Sequence, residues 1–123
     1  VLQKKIKENN LLDKVKLHGW VDNNSTKIKE LYGHASIFIS ASHFENMSVV
    51  ILEALASGCK AIASNVGGNP EIIDKENLFE ANNIKDLRGK IVETINSKKI
   101  KVEKLDSQFD WKRIVKEYEE VLR

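Results

Sequence analysis

Disulfides, membrane spans and a strong charge of either sign are all missing from this sequence. Cysteine occurs once, at Cys59. No intrachain disulfide can form, which excludes a small disulfide-stapled secreted domain and makes a reducing, cytoplasmic setting the expectation. Lys and Arg number 20 against 18 Asp and Glu, a net charge of +2. That balance lacks the clustered positive excess of a nucleic-acid footprint, so no nucleic-acid partner is expected. No apolar run reaches the ~18–20 residues of a membrane span; the longest is Val49–Leu52, resumed after Glu53 by Ala54-Leu55-Ala56. The opening Val1-Leu2-Gln3-Lys4-Lys5 carries no signal-peptide pattern. There is no internal repeat or low-complexity segment, and neither a P-loop nor a G-x-G-x-x-G run. His18, His34 and His43 lack metal-ligand spacing with one another or with Cys59, so no metal cofactor is expected. Ser42 and His43 are adjacent, but no order of Ser, His and acid makes a convincing triad.

What is present is enough for one core: 123 residues, 41% of them hydrophobic. The chain opens in a helical pattern without Met and reads as an excised piece, a single domain over residues 1–123. Helical spacing is expected over Val1–Asn9. Alternation in Val15–His18 before Gly19 predicts a short strand and a turn. Ser25 fits a helix N-cap, with Ile28, Leu31 and Tyr32 following at helical spacing before Gly33. Ala35–Ser40 predicts a buried strand, Met47–Ser57 an apolar helix stopped by Gly58, and Cys59–Ser64 another strand. The single proline, Pro70, suits a first helical position before Glu71-Ile72-Ile73. A short strand at Leu78-Phe79 precedes a helix over Ile84–Asn96 with Leu87, Ile91 and Ile95 on one face. Lys98–Asp106 reads as a charged connector, and Phe109–Leu122 as a closing helix within about 107–123. Alternation with short loops means an α/β fold, a Rossmann-like parallel sheet with flanking helices.

Ligands of such sheets sit at the carboxyl ends of the strands, here the loops at His18–Asp22, Ala41–Asn46 and Ser64–Asn69. Glu53 lies within Val50-Ile51-Leu52 and Ala54-Leu55-Ala56, where an unpaired buried charge costs several kcal/mol. It is either solvent-facing or in a structural ion pair, or it accepts two O–H bonds from a sugar diol such as a ribose. Glu45 precedes it by eight residues, about 12 Å along one helix, beyond the roughly 5–9.5 Å of a glycosidase pair. The two acids are therefore expected to touch different parts of one elongated ligand. The free N–H groups of residues 46–49 could meet an anion such as a phosphate.

Ser42-x-x-Glu45, then Glu53-Ala54-x-Ala56-x-Gly58, then Ala63-Ser64-x-Val66-Gly67-Gly68-x-Pro70-Glu71 together resemble the C-terminal, donor-binding half of retaining GT-B glycosyltransferases of family 4. Val15-Lys16-Leu17-His18-Gly19-Trp20-Val21 is similar to that family's V-x-x-x-G-x-V strand and turn. The resemblance implies a partial GT-B C-terminal domain that binds a UDP- or GDP-sugar. Glu45 would contact the donor sugar, and the N–H groups of Asn46, Met47, Ser48 and Val49 would meet the sugar and diphosphate. Glu53 would hold the ribose hydroxyls, and Gly19-Trp20 would lie near the nucleobase. The implied enzyme is a hexosyltransferase of polysaccharide biosynthesis, acting on a glycan or lipid-linked acceptor and needing no metal.

Several positions depart from the pattern. Asn46-Met47-Ser48 stands where the family often has Gly-Phe-Gly, which leaves the sugar open, and Ala41 and Lys60 replace frequent prolines. The family's diphosphate-binding Arg and Lys, and its acceptor-binding N-terminal domain, would precede this segment. These residues alone are thus expected not to transfer sugar. A stand-alone nucleotide-binding or interaction module is the alternative from another class, and an epimerase relative fits the Glu45–Glu71 block less well. Basic residues of the first and last helices are interspersed with Glu8, Glu117, Glu119 and Glu120, which reads as a solvated face. The competing expectation is peripheral contact with the inner face of a membrane in the full enzyme. The Trp111, Tyr118 and Leu122 stripe would then pack across to the other domain.

Overall fold

The computed structural model describes residues 1–97 and 109–121. The expected connector from Lys98, and Leu122, lie outside the described residues. The chain forms two compact units, Val1–Leu31 and Tyr32–Arg123. No helix among the described residues is long and apolar enough to cross a membrane.

The first unit holds helix α1 (Leu2–Glu8), with Ile6 buried, and the start of helix α2 (Thr26–His34). Ser25 caps α2 as expected, its Oγ accepting from Ile28 N at 3.4 Å. Gly19 takes the left-handed region, with φ +65°, but residues 15–20 form no turn there. The strand expected over Val15–His18 does not form. A strand exists only where a neighbour completes its ladder, and among the described residues nothing pairs with this segment. Val15 N instead closes a helical turn onto Leu11 O, and Val15 and Leu17 are exposed.

The second unit is a three-stranded parallel sheet in the order β1 (Ile37–Ser40), β2 (Lys60–Ser64), β3 (Leu78–Phe79). Ile37 pairs with Lys60 and Ser40 with Ala63, while Ala63 pairs with Leu78 and Ser64 with Phe79. The central β2 has Ala61, Ile62, Ala63 and Ser64 all buried, the mark of a strand covered on both faces. Helix α3 (Val49–Ala56) lays Ile51, Ala54 and Leu55 against the sheet at i, i+3, i+4 spacing. Ile51 and Leu55 join Ala61, Ala63, Ile73 and Leu78 in the core, with Phe38 and Ile72 packed against it. The parallel α/β sheet expected from the sequence is therefore what the chain forms.

Gly58 ends α3 with φ +83°. Gly58 N donates to Leu55 O and Cys59 N to Ala54 O, both at 3.0 Å, the paired bonds of a Schellman ending. Helix α4 (Asn69–Ile72) carries Pro70 in its first turn, and a 3₁₀ turn (Lys75–Asn77) leads into β3. Helix α5 (Ile84–Asn96) has the expected bounds, with Asn83 as its N-cap accepting from Asp86 N. Leu87 and Ile91 are half-buried, but Ile95 at the end of the same stripe is exposed. Lys60, in place of a proline, sends Nζ to Thr94 O at 3.2 Å, where a cation suits a helix C-terminus. Helix α6 (Trp111–Val121) leaves Trp111, Val115, Tyr118 and Val121 exposed.

Candidate functional site

β1 and β2 run parallel, so the loops that follow them, 41–48 and 65–68, leave the same end of the sheet. They are locked together through backbone. Ser64 Oγ donates to Ser42 O at 2.6 Å, and Gly68 N donates to Asn46 O at 2.7 Å. A Cβ on Gly67 would overlap the carbonyl oxygen of Glu45, and one on Gly68 the carbonyl oxygen of Asn46. Gly67 also has φ +52°, a region that favours glycine. The two glycines are thus the surface on which the Glu45 loop rests.

That contact moves the helix start. The apolar helix expected from Met47 begins at Val49, with Ser48 as N-cap. The Asn46 carbonyl accepts from Gly68 N and from no N–H of the first turn of α3. The N–H groups of Asn46, Met47, Ser48, Val49 and Val50 donate to no partner among the described residues, and the first to do so are Ile51 and Leu52, to Ser48 O. Ser48 is buried and its Oγ has no hydrogen-bond partner. Phe44, Met47, Val49 and Val50 are exposed around this opening.

Both acids of the pair are half-buried. Glu45 Oε1 accepts from Ser42 Oγ at 2.9 Å. Glu53, in the second turn of α3, accepts at Oε2 from Tyr32 OH, 3.1 Å away. Neither acid belongs to an ion pair among the described residues, where the pairs include Lys4–Glu8, Lys90–Glu93 and Arg113–Glu117. The structural-ion-pair alternative for Glu53 is thus not what these residues show. Burial, then the hydrogen bond to Glu53 and its charge, push the Tyr32 phenol up to about 12. Burial also pushes the Cys59 thiol up; its Sγ–H faces the Tyr32 and Ala35 carbonyls, which fits packing rather than a nucleophile. No group of three or more His, Cys, Asp or Glu among the described residues could hold a metal ion.

Gly19 and Trp20 belong to the first unit, and Trp20 is 91% exposed. Two participants in the second unit escape sequence reasoning. Tyr32 reads there as part of a helical apolar stripe, although a tyrosine that is partly buried needs a partner for its hydroxyl. Asn69 reads as a loop residue, yet it is fully buried, with Nδ2 donating to Ser64 O at 3.0 Å and Oδ1 unpartnered.

The sequence profile of the family described as "Glycosyl transferases group 1" matches residues 1–110. Alpha-maltose-1-phosphate synthase of Mycolicibacterium smegmatis is 32% identical over 76 residues, 58% of this chain and 20% of the relative. Sucrose-phosphate synthase from Thermosynechococcus elongatus superposes with a TM-score of 0.80 at 25% identity, covering 99% of this chain and 33% of that one. The C-terminal domain of a glycosyl transferase group 1 family protein (LpcC) from Francisella tularensis gives a TM-score of 0.71 at 28% identity, covering 95% and 60%. The chain therefore spans about a fifth of the curated relative's length.

Proposed function

The chain belongs to the glycosyl transferases group 1 family, and from that premise we propose that its second unit binds the nucleotide-activated donor of a retaining hexosyltransferase. The donor is a UDP- or GDP-sugar, and the acceptor a glycan or a lipid-linked glycan held by a further domain. The observation that carries the reading is the run of five unpartnered N–H groups, Asn46 to Val50, opening α3 between Glu45 and Glu53.

The chemistry follows from those groups. Amide N–H groups at a helix N-terminus suit a diphosphate, and the dipole adds about 0.3–2 kcal/mol. Glu45 and Glu53 each have one oxygen already held by a hydroxyl, which leaves the other to accept from sugar and ribose hydroxyls respectively. The exposed apolar rim of Phe44, Met47, Val49 and Val50 suits a surface that a ligand or a second domain covers. Two carboxylates repel a diphosphate, so cations from outside these residues complete the site. Retaining transfer is supported here by placing the donor and stabilising the departing diphosphate; no side chain in the site is assigned as a nucleophile.

The test compares Glu45→Ala and Glu53→Ala in the full-length protein. Each is expected to weaken nucleotide-sugar binding or turnover by about 1 kcal/mol or more. If neither does, the assignment is wrong. Titration with UDP, GDP and inorganic phosphate gives the complementary measure, and a nucleoside diphosphate is expected to bind more tightly than phosphate. Nucleotide binding without any sugar transfer would instead favour a binding module.

A further inference from the structure

The Tyr32 hydroxyl is brought to α3 from a separate element and fixed there. Its ring packs on Phe38 of β1, with centroids 5.9 Å apart and planes tilted by 42°. Phe38 in turn packs against the core. From that base the hydroxyl reaches Glu53 Oε2 at 3.1 Å and the Val50 carbonyl at 3.4 Å, one turn earlier on the same helix. A phenol has a single proton to donate, and the shorter contact is the carboxylate.

We propose that Tyr32 is a positioning residue for donor recognition: it holds Oε2 of Glu53 so that Oε1 is presented to the ribose diol. This rests on the reading of Glu53 given above. A glutamate on a helix surface samples many rotamers, and a ligand that needs one of them must order the side chain first. Tyr32 fixes that rotamer before the ligand arrives, which strengthens binding without a further contact. The acid has no cationic partner among the described residues, so its orientation depends on this one donor. A hydroxyl suits the task better than a lysine or arginine would, because it leaves the carboxylate's charge unneutralised for the ligand's O–H groups.

The test uses the full-length protein and measures the Kd of UDP and GDP and of their 2′,3′-dideoxy forms. Taking the base that binds more tightly, the wild-type protein is expected to favour the ribose form at least about tenfold. Tyr32→Phe keeps the ring on Phe38 and removes only the hydroxyl. It is expected to cut that preference about three- to tenfold while the dideoxy nucleotide binds as before. Glu53→Ala is expected to bring the preference close to one, and adding Tyr32→Phe to it is expected to change nothing more. Tyr32→Phe that weakens both nucleotides equally, or neither, overturns the positioning role and leaves Glu53 in place. A preference that survives Glu53→Ala overturns the reading of Glu53 itself.

Discussion

Two stretches of irregular chain behave in opposite ways. The loop 41–48 is tied to the end of β2 and to the loop 65–68 by hydrogen bonds between residues far apart in sequence, Ser64 to Ser42 and Gly68 to Asn46. The stretch 11–24 is held by near neighbours, Leu11 to Ile6, Val15 to Leu11 and Asn24 to Asp22, and exposes Leu12, Leu17 and Trp20. Both contain a glycine in the left-handed region, Gly67 at φ +52° and Gly19 at φ +65°. What separates them is what stands in front of the glycine. Gly67 faces backbone, whereas Gly19 has nothing within 4 Å of an added Cβ. A turn residue is therefore not informative by itself; its meaning depends on whether another strand's loop closes over it.

The comparison is broken or upheld most directly by substituting both glycines. Gly67→Ala meets a carbonyl oxygen that cannot swing away, so the Glu45 loop must move or the unit must open. The expected loss is more than about 3 kcal/mol. Gly19→Ala meets only the conformational cost of the left-handed region, about 1–2 kcal/mol. Denaturant unfolding of the two variants measures the difference. Equal losses would mean that the packing of the two-glycine loop on Glu45 contributes nothing.

The same contrast explains how much was readable beforehand. β1, β2, β3, α5 and the Gly58 stop follow from short apolar runs, a capping Asn and a glycine, all signals that act within a few residues. The strand at Val15–His18 shows the same alternation and does not form. A strand needs a neighbour to complete its ladder, and among the described residues nothing pairs with this segment. The start of α3 at Val49 likewise reflects a contact distant in sequence. Its apolar pattern runs back to Met47, but the Asn46 carbonyl is claimed by Gly68, 22 residues later. In the candidate site, the two acids proposed to hold the donor were visible as such in the sequence, around the start of an apolar helix. Tyr32 and Asn69 were not, because a side chain that bonds across 21 residues, or fills a buried corner, leaves no periodic trace.

A smaller effect is expected at Asn69, which sharpens the account of why the second loop is rigid. Its Nδ2 satisfies the Ser64 carbonyl, and Ser64 lies at the end of β2 beneath the Glu45 loop. Asn69→Ala removes one of the two hydrogen bonds that the Ser64 carbonyl accepts, the other coming from Val66 N at 2.9 Å, which costs about 0.5–1.5 kcal/mol. Asn69→Asp keeps an oxygen where a donor is needed and should be no better than alanine. Thermal unfolding of the two variants tests this ordering. A neutral Asn69→Ala would show that the Val66 N–H alone satisfies the Ser64 carbonyl and that the side chain of Asn69 does not fix the loop.

The smallest effect concerns pH and separates Tyr32 from the loops altogether. Its phenol is raised to about 12 in the folded state, through burial first and the Glu53 hydrogen bond second, against about 10 in the unfolded chain. A group whose pKa is raised on folding gives its full stabilisation below the unfolded value and loses it as pH climbs through the folded one. The contribution is therefore constant below about pH 10 and fades between about pH 10 and 12. Lysines titrate in the same window, so the informative quantity is the difference between wild type and Tyr32→Phe. Melting temperatures recorded from pH 8 to 12 should keep a fixed separation up to about pH 10 and converge above it. Curves that stay parallel through pH 12 would mean that the Tyr32 hydroxyl is not held against Glu53 in solution.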